Sequence, residues 1–217
     1  MTIPDLIIFD NDGVLVDSER LSNRIFAALL TDVGLPTSFD DSVARYMGRR
    51  SSDCLIEVEA ELGKPLPTDF IARYENECAS AITAELTAID GVTDLLDALE
   101  DNKIPYCIAS SGTPDEIALR LRTTGLTDRF ADRVYSGSMV ARGKPAPDLF
   151  EFAADRMGFS PDAAVVIEDS PAGVTGARAA GAHVIGHADL VTPQRLVDAG
   201  AHVVVSGMSQ VRALLSI

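Results

Sequence analysis

Four carboxylates lie within ten residues near the start of the chain: Asp10, Asp12, Asp17 and Glu19. The first two follow the apolar run Leu6–Phe9, which predicts a buried strand that ends at Asp10. Residues two apart in an extended chain point to the same side, so Asp10 and Asp12 could face one ligand. A polar turn around Gly13 is the alternative, and these residues alone leave the two interpretations equally open.

The serine pair Ser110 and Ser111 follows another apolar run, Ile104–Ala109. Thr113 and Glu116 come next with the spacing of a capping box, which predicts a helix start. The two serines would then lie at a helix N-terminus, where free backbone N–H groups favour phosphate. Taken alone, a plain Ser/Gly turn is the better-supported interpretation.

Two further stretches carry a lysine and a pair of acids. Lys144 lies in a loop rich in Gly and Pro, just before a helix predicted to start near Pro147. Such a loop could hold the ammonium on an anion, although a solvated lysine is the commoner case. Glu168 and Asp169 follow an apolar run, and adjacent carboxylates there are typical of a hard-cation site. Stabilisation of a helix N-terminus explains only one of them well.

These side chains need a sheet whose strands end at a common edge. Short apolar runs predict strands at Leu6–Phe9, Ile104–Ala109, Ala164–Ile167, Ala182–Ile185 and Val203–Val205, with a weaker candidate at Arg133–Ser136. Helical patterns lie between them, and Gly125 and Gly158 are predicted helix C-caps. The alternation predicts an α/β fold with a doubly wound parallel sheet.

Residues from about 18 to 83 interrupt this alternation, because the sequence there contains only helical patterns. The segment is too long for an ordinary crossover, so we predict a helical insert, residues 18–83, in a core of residues 1–17 and 84–217. An insert there would cover the carboxyl ends of the strands, where open α/β sheets bind ligands. Asp17 and Ser18 are expected to cap the first insert helix and to form part of a hinge.

The candidate residues share one predicted position, the carboxyl end of a strand: Asp10, Asp12, Ser110, Lys144, Glu168 and Asp169. In a parallel sheet these ends converge on one edge. Four acids would repel one another there without a divalent cation, and with Mg²⁺ the pocket becomes a place for a phosphate. The cation, Lys144 and backbone N–H groups would supply local positive charge in a chain of net charge −15.

Four motifs occur in the order DNDGVLVDSE, IASSG, GKPAP and IEDSPAGV. Together they resemble the motifs of the haloacid dehalogenase (HAD) superfamily, and the branch that resembles β-phosphoglucomutase, with a helical cap after the first strand, is the most similar. The resemblance covers nearly the whole chain. It implies a Rossmann-like core, a mobile helical cap of the C1 type that sets substrate specificity, and Mg²⁺ as cofactor.

The resemblance also implies a role for each matching residue. Asp10 would be the nucleophile that forms an aspartyl-phosphate, and Asp12 the general acid and then the base. Ser110, Ser111 and Lys144 would bind the phosphoryl group, with Lys144 also counted as catalytic. The implied metal ligands are the carboxylates of Asp10, Glu168 and Asp169 and the backbone carbonyl of Asp12. Asp17 and Glu19 would belong to the exit into the cap and are not counted as catalytic.

Departures from related patterns separate the possible activities. A dehalogenase lacks the second aspartate, which is present here as Asp12, and a phosphonatase needs a cap amine that the stretch around Arg49 does not offer. The mutase pattern has a histidine and an arginine where this chain has Ser22 and Ser51. These departures favour a phosphatase, with a β-phosphoglucomutase-like transferase as the alternative. A non-catalytic metabolite-binding protein is the alternative from another class.

Substrate choice is expected to depend on the cap loop, where Gly48 gives flexibility and Arg49 could reach a polar or anionic leaving group. Arg50 follows directly, and pairing of one or both arginines with nearby surface acids is an equally weighted alternative. The motifs YSG, KPAP and EDSPAGV also occur in bacterial sugar-phosphate phosphatases. The expected substrate is therefore a small phosphorylated metabolite, a sugar or sugar-acid phosphate.

The bulk composition limits the partners. With 18 Lys and Arg against 33 Asp and Glu, we expect no nucleic-acid or membrane partner. The three cysteines, Cys54, Cys78 and Cys107, are widely spaced and favour buried thiols in a reducing compartment. We expect a cytoplasmic protein without a signal peptide that is a monomer or a weak homodimer.

Overall fold

A six-stranded parallel sheet forms the centre of the computed structural model, which describes residues 4–217. The strands are β1 Leu6–Phe9, β2 Tyr106–Ser110, β3 Val134–Ser136, β4 Ala164–Glu168, β5 His183–His187 and β6 Val203–Val205. Their order across the sheet is β3-β2-β1-β4-β5-β6, and every neighbouring pair is parallel. The predicted α/β doubly wound fold is confirmed.

The observed strands differ from the apolar runs mainly at their ends. β2 continues to Ser110 because this residue still pairs with Ser136 of β3. β5 continues to His187, two residues beyond the apolar run that predicted it. Apolar runs mark the buried part of a strand, whereas hydrogen-bonded pairing decides where it ends.

The register of the three central strands brings their carboxyl ends to one level. Phe9 of β1 pairs with Ile108 of β2 on one side and with Ile167 of β4 on the other. The residues that follow these three positions therefore converge at one edge of the sheet. β1 lies where the strand order changes direction, which is the usual place of a ligand crevice in such sheets.

Helices cover both faces of the sheet and fill the segment between β1 and β2. The helices of residues 4–217 are α1 Glu19–Asp32, α2 Phe39–Tyr46, α3 Ser51–Leu62, α4 Phe70–Glu85, α5 Val92–Asp101, α6 Pro114–Thr124, α7 Thr127–Phe130, α8 Asp148–Met157, α9 Pro171–Ala179, α10 Pro193–Asp198 and α11 Met208–Leu215. Alternate strand residues face different helices: Ile7 and Phe9 point into one apolar cluster, and Leu6 and Ile8 into another.

The four helices α1 to α4 form a helical layer between the first two strands of the chain. Phe26 anchors it, because its ring packs edge-on against Tyr46, Phe70 and Tyr74. The same apolar cluster continues into one face of the sheet, which holds the layer over the strand ends. The division into a core and a cap, with the boundaries given above, stays a prediction.

Most of the predicted helix ends are confirmed. The capping box of Thr113 and Glu116 starts α6, and Gly125 and Gly158 end α6 and α8 in the left-handed conformation. The N-cap position predicted for α1 is confirmed, but the side-chain cap bond does not form. Ser18 stands at the N-cap position with φ −88° and ψ −22°, but makes no side-chain cap bond. Its hydroxyl donates instead to Asp12. The side chain therefore points toward the site and does not bond the backbone N–H groups at the start of α1.

All three cysteines are buried and free, as the sequence predicted. Among residues 4–217, the structure contains no helix with both the length and the apolar character needed to cross a bilayer.

Candidate active site

A buried lysine joins two acids at the tips of the central strands. Lys144 Nζ donates to Asp10 Oδ1 at 2.6 Å and to Glu168 Oε1 at 2.5 Å. The lysine side chain is fully enclosed, and Phe150 lies beneath its ammonium with the ring centroid 5.2 Å away. The structure therefore excludes the solvated-loop alternative for Lys144.

Burial and charge act in opposite directions on these groups. Burial alone would lower the pKa of Lys144, but the charges of Asp10 and Glu168 outweigh it and raise the pKa. Burial raises the pKa of Asp10 well above its ordinary value, and Lys144 opposes this increase only in part. Burial also raises the pKa of Asp169. One ammonium thus faces an excess of buried carboxyl groups, which is a setting that favours a further cation.

The same acids fit a divalent cation. Asp10, Glu168 and Asp169 can each offer one oxygen so that all three atoms lie within 4.8 Å of one another. Asp169 Oδ1 is buried and has no hydrogen-bond partner, which leaves it available as a ligand. Gly13, at φ +76°, leaves the space that the Asp169 carboxylate occupies, since a Cβ at this position would overlap it. A set of carboxylate oxygens suits a hard cation such as Mg²⁺.

Glu168 differs from the other two acids because both of its oxygens are engaged. Oε1 accepts from Lys144, and Oε2 accepts from the backbone N–H and the hydroxyl of Ser170, each at 3.0 Å. Ser170 is the N-cap residue of α9, and its hydroxyl oxygen in turn accepts from Gly173 N. Asp10 and Asp169 therefore retain more free ligand capacity than Glu168.

Asp12 has a different environment from Asp10, although the two residues are two positions apart. Oδ1 of Asp12 accepts from the hydroxyl of Ser18 and lies 2.6 Å from Arg120 Nε. Oδ2 accepts from Ser110 Oγ at 3.3 Å. Asp12 thus faces hydroxyls and a guanidinium at the cavity, whereas Asp10 is held by the buried lysine.

The two serines after β2 both reach the site. Ser110 Oγ accepts from Gly112 N at 3.1 Å while donating to Asp12. Ser111 Oγ donates to the carbonyl of Gly48, in the helical layer, at 2.9 Å. Both serines precede the N-terminus of α6, whose free N–H groups are the expected anion-binding feature.

A cavity of about 90 Å³ lies between the strand tips and the helical layer. The strand side is lined by Asp10, Asp12, Ser110, Ser111 and Gly112. The helical side is lined by Glu19, Ser22, Asn23, Phe26, Tyr46, Met47, Gly48, Arg49, Ser51, Cys54 and Tyr74, and α6 adds Glu116 and Arg120. The cavity is small and mixed in polarity, which suits a small polar ligand rather than a polymer.

Arg49 and Arg50, between α2 and α3, have different partners. Arg49 lines the cavity, but its Nη1 donates to Glu57 Oε2 at 2.8 Å and to the carbonyl of Arg45 at 3.1 Å. The structure therefore contains the acid pairing that was the alternative for Arg49. Arg50 instead leaves the helical layer and donates to the carbonyls of Gly137 and Val140, beyond β3. Its side chain ties the layer to the sheet.

Sequence reasoning missed Arg120 and set Glu19 aside, yet both are buried and line the cavity. Burial, followed by the charge of Asp12, raises the pKa of Glu19 to about 7. Arg120 lies three positions after Ile117 and next to Leu121, on the buried side of α6. A charge on an apolar helical stripe is the signal that could have revealed it.

Comparison with known proteins identifies the family. The model of the haloacid dehalogenase-like hydrolase family matches residues 7–187. The chain belongs to this family. Validoxylamine A 7'-phosphate phosphatase of Streptomyces hygroscopicus subsp. limoneus is 28% identical over 94% of each chain. The 6-phosphogluconate phosphatase of Escherichia coli strain K12 is 29% identical over 83% of this chain and 80% of that protein. Both HAD relatives are phosphoric monoester hydrolases by name.

Solved HAD structures share the whole fold. A conserved haloacid dehalogenase-like protein of Agrobacterium tumefaciens str. C58 is 38% identical, with a TM-score of 0.82 over 98% of this chain and 97% of that one. A putative β-phosphoglucomutase of Thermotoga maritima is 28% identical, with a TM-score of 0.75 over 98% and 99%. The resemblance to the HAD superfamily and to its β-phosphoglucomutase-like branch is confirmed.

Proposed function

We propose that this HAD-family protein is a Mg²⁺-dependent phosphatase that hydrolyses a small phosphorylated metabolite, a sugar or sugar-acid phosphate. The observation that carries the proposal is the pair of aspartates with separate environments at the tip of β1. Asp10 is held by the buried Lys144, and Asp12 faces the cavity. One carboxylate fixed by a lysine and a second one facing the ligand suit a nucleophile and a proton carrier.

In the proposed reaction, an oxygen of Asp10 attacks phosphorus and the bond from phosphorus to the leaving oxygen breaks. Asp12 gives its proton to the leaving oxygen, which departs as an alcohol. Water then attacks the aspartyl-phosphate, Asp12 takes a proton from that water, and Asp10 is released with inorganic phosphate. This sequence returns both aspartates to their starting states.

The remaining residues of the strand tips bind and orient. Lys144 holds Asp10 and would hold a phosphoryl oxygen. The Ser110 hydroxyl, turned from Asp12, and the backbone N–H of Ser111 would donate to the other oxygens. Asp10, Glu168, Asp169 and the Asp12 carbonyl would hold Mg²⁺. When bound, the cation supplies positive charge that offsets repulsion between an anionic nucleophile and an anionic substrate.

The substrate class follows from the cavity and the relatives. Phosphatases named for validoxylamine A 7'-phosphate and 6-phosphogluconate are among the relatives, so a polyhydroxylated leaving group is the proposed common feature. Asn23, Ser22 and Ser51 line the helical side and could bond hydroxyls. Gly48 and Arg49 remain proposed substrate contacts in the proposed cap.

A phosphoryl transferase is the second candidate, since the fold is shared with a putative β-phosphoglucomutase. The products separate the two activities. A phosphatase releases inorganic phosphate from a hexose phosphate, whereas a mutase returns an isomeric sugar phosphate without net release. Ser22 and Ser51 at the positions of the mutase pattern favour release.

The test is phosphate release from a panel of about a hundred phosphorylated metabolites, together with p-nitrophenyl phosphate, with Mg²⁺ and with EDTA. We expect Asp10→Asn to reduce turnover by at least about 10³-fold and EDTA to abolish it. The exposed Asp94→Asn on α5 is the matched control and should retain activity. Absence of phosphate release by the wild type across the panel would contradict the proposal and favour a binding protein.

The proposed setting is the cytoplasm, without a nucleic-acid or membrane partner. Three buried free thiols and a net charge of −15 support this part of the proposal.

A further inference from the structure

Arg120 is a buried cation in the cavity, and the proposed reaction assigns it no role. It lies on α6, is only 6% exposed and lines the cavity beside Asp12. Arginine stays protonated in proteins, so a full positive charge is enclosed there. A buried charge needs hydrogen-bonding partners of opposite charge or polarity. Donors that the protein leaves without acceptors indicate what kind of ligand the site binds.

The protein does not satisfy the hydrogen-bonding capacity of this guanidinium. Nε lies 2.6 Å from Asp12 Oδ1, but its N–H direction is not aligned for a hydrogen bond, and Nη1 also has no acceptor. Among residues 4–217, Asp12 is the one carboxylate within 4.0 Å of Arg120. Donors that are buried and left without acceptors cost free energy, unless a ligand supplies the acceptor.

The other acids of the cavity have partners of their own. Glu19 Oε2 accepts from Asn23 Nδ2 at 2.7 Å, and Glu116 Oε2 accepts from Thr113 N at 2.7 Å in the capping box. The second cavity arginine, Arg49, is already bonded within the helical layer. Arg120 is therefore the cavity cation, among the described residues, that retains free donors.

We propose that Arg120 is a specificity-determining residue that binds a carboxylate of the leaving group. The preferred substrates are then phosphorylated sugar acids rather than neutral sugar phosphates. This inference rests on the proposed phosphatase function and names its substrate class. A guanidinium presents donors in a planar fork that matches a carboxylate, and a neutral analogue would leave that fork unpaired in a buried site.

A carboxylate fits the charge of the cavity better than a second phosphate does. Arg120 contributes one positive charge, and the nearby acids Asp12 and Glu116 oppose additional negative charge. A carboxylate brings one negative charge, whereas a phosphate monoester brings nearly two at neutral pH. Hydroxyls of the same leaving group could donate to Glu19.

The first experiment measures kcat/KM of the wild type with Mg²⁺ for two matched substrate pairs. The pairs are 6-phosphogluconate with glucitol 6-phosphate, and 3-phosphoglycerate with glycerol 3-phosphate. We expect the acid to exceed its neutral partner by at least about tenfold in one or both pairs. Equal values, or preference for the neutral partner in both pairs, would overturn the inference. Preference for fructose 1,6-bisphosphate over both acids would overturn it in favour of a second phosphate.

The second experiment assigns the preference to the side chain. Arg120→Met keeps apolar bulk without donors, and we expect the ratio of acid to neutral substrate to fall to within about twofold of unity. Arg120→Lys keeps the charge but loses the fork and should give an intermediate ratio. Arg122→Met, an exposed neighbour on α6, is the matched control and should keep the wild-type ratio.

The outcomes separate a failed inference from a failed function. An equal loss for both substrates in Arg120→Met, with the ratio preserved, would show that Arg120 acts only on Asp12 and would overturn the inference. If urea titrations show that Arg120→Met is unfolded, the inference is tested by the ratios of acid to neutral substrate for the wild type and Arg120→Lys. If the wild type releases phosphate from p-nitrophenyl phosphate but shows no preference for the acid in either substrate pair, only the inference is contradicted. No phosphate release from any of these esters by the wild type contradicts the proposed function as well.

Discussion

The floor of the cavity and its wall differ in how their charges are matched. The floor comprises Asp10, which lines the cavity, and the residues buried around it, Lys144, Glu168 and Asp169. The wall comprises the cavity side chains of α1, α2, α3, α4 and α6 and of the loop at 47–49. In the floor, one lysine bonds two acids and has no free surface. In the wall, Arg49 is bonded within the helical layer and Arg120 retains free donors. The side chains of the floor bond one another and suit the reaction at phosphorus. The wall retains free hydrogen-bond donors that a ligand can bind.

Removal of the floor lysine should have the largest effect. Lys144→Met leaves Asp10 and Glu168 buried without their shared cation, so the free energy of unfolding should fall by about 3–5 kcal/mol. Phosphatase activity should fall by at least about 10²–10³-fold, because a positioned cation on the phosphoryl group is lost. Urea unfolding and phosphate release measure the two effects.

The exposed Lys64→Met is the control for loss of a lysine as such. A Lys144→Met protein with wild-type stability would show that the floor is not the interdependent network described above.

Glu19 tests whether burial keeps an acid of the wall neutral up to about pH 7. Its pKa is raised from 4.5 to about 7 by burial and by the charge of Asp12. Below pH 4.5 both folded and unfolded forms are protonated. Between 4.5 and 7 only the unfolded form loses its proton, so this group lowers stability as the pH rises. Glu19→Gln should therefore gain stability over the wild type across this range, up to about 3 kcal/mol above pH 7.

Urea titrations from pH 4 to 8.5 in metal-free buffer measure that difference, with the exposed Glu75→Gln as control. A difference between Glu19→Gln and the wild type that does not grow with pH would show that Glu19 is ionised like an ordinary surface acid.

Arg50 connects the helical layer to the segment after β3, and its loss should have an intermediate effect. The side chain donates to the carbonyls of Gly137 and Val140, and a Cβ on Gly143 would lie 2.8 Å from Arg50 Nε. We expect Arg50→Ala to lower kcat/KM by about tenfold, because the helical layer is no longer fixed over the strand tips. Gly143→Ala should lower it less, through displacement of the same side chain.

The double variant separates the two causes. If Gly143 matters because of Arg50, then Gly143→Ala should add little in the Arg50→Ala background. Full additivity of the two effects would contradict the connection.

Arg49 should have the smallest effect, although the sequence made it a candidate substrate contact. Its ion pair with Glu57 is partly exposed, so Arg49→Gln should change the free energy of unfolding by less than about 1 kcal/mol. Because its donors are already engaged, KM should rise by less than about threefold. Glu57→Gln, which also loses the ion pair with Arg45, should lower the free energy of unfolding by at least as much as Arg49→Gln. A rise in KM for Arg49→Gln far above threefold would make Arg49 a principal substrate contact.

The floor could be predicted from the sequence because its residues are fixed by local rules. Asp10 and Glu168 are placed by the ends of apolar runs, and Ser170 and Thr113 are placed by capping patterns. Parallel strands then bring these ends to one edge without any knowledge of side-chain packing. Only the ends of the strands shifted, by one or two residues.

The wall could not be predicted in the same way, because the partner of each side chain depends on how the helices pack. Ser18 was expected to cap α1, but its hydroxyl bonds Asp12. Arg49 and Arg50 are adjacent in sequence, yet one bonds within the helical layer and the other crosses to the sheet. Arg120 enters the cavity only because α6 turns its buried face toward Asp12.

The central claim is that the floor performs the chemistry through Asp10. The most direct measurement is mass spectrometry of the Asp12→Asn protein, quenched in acid during reaction with acetyl phosphate and Mg²⁺. Replacement of the proposed base should slow hydrolysis, so phosphoryl groups should accumulate on the peptide that contains Asp10. A phosphoryl group on Ser110 or Ser111 instead, or wild-type turnover with no labelled Asp10 in either protein, would contradict the account.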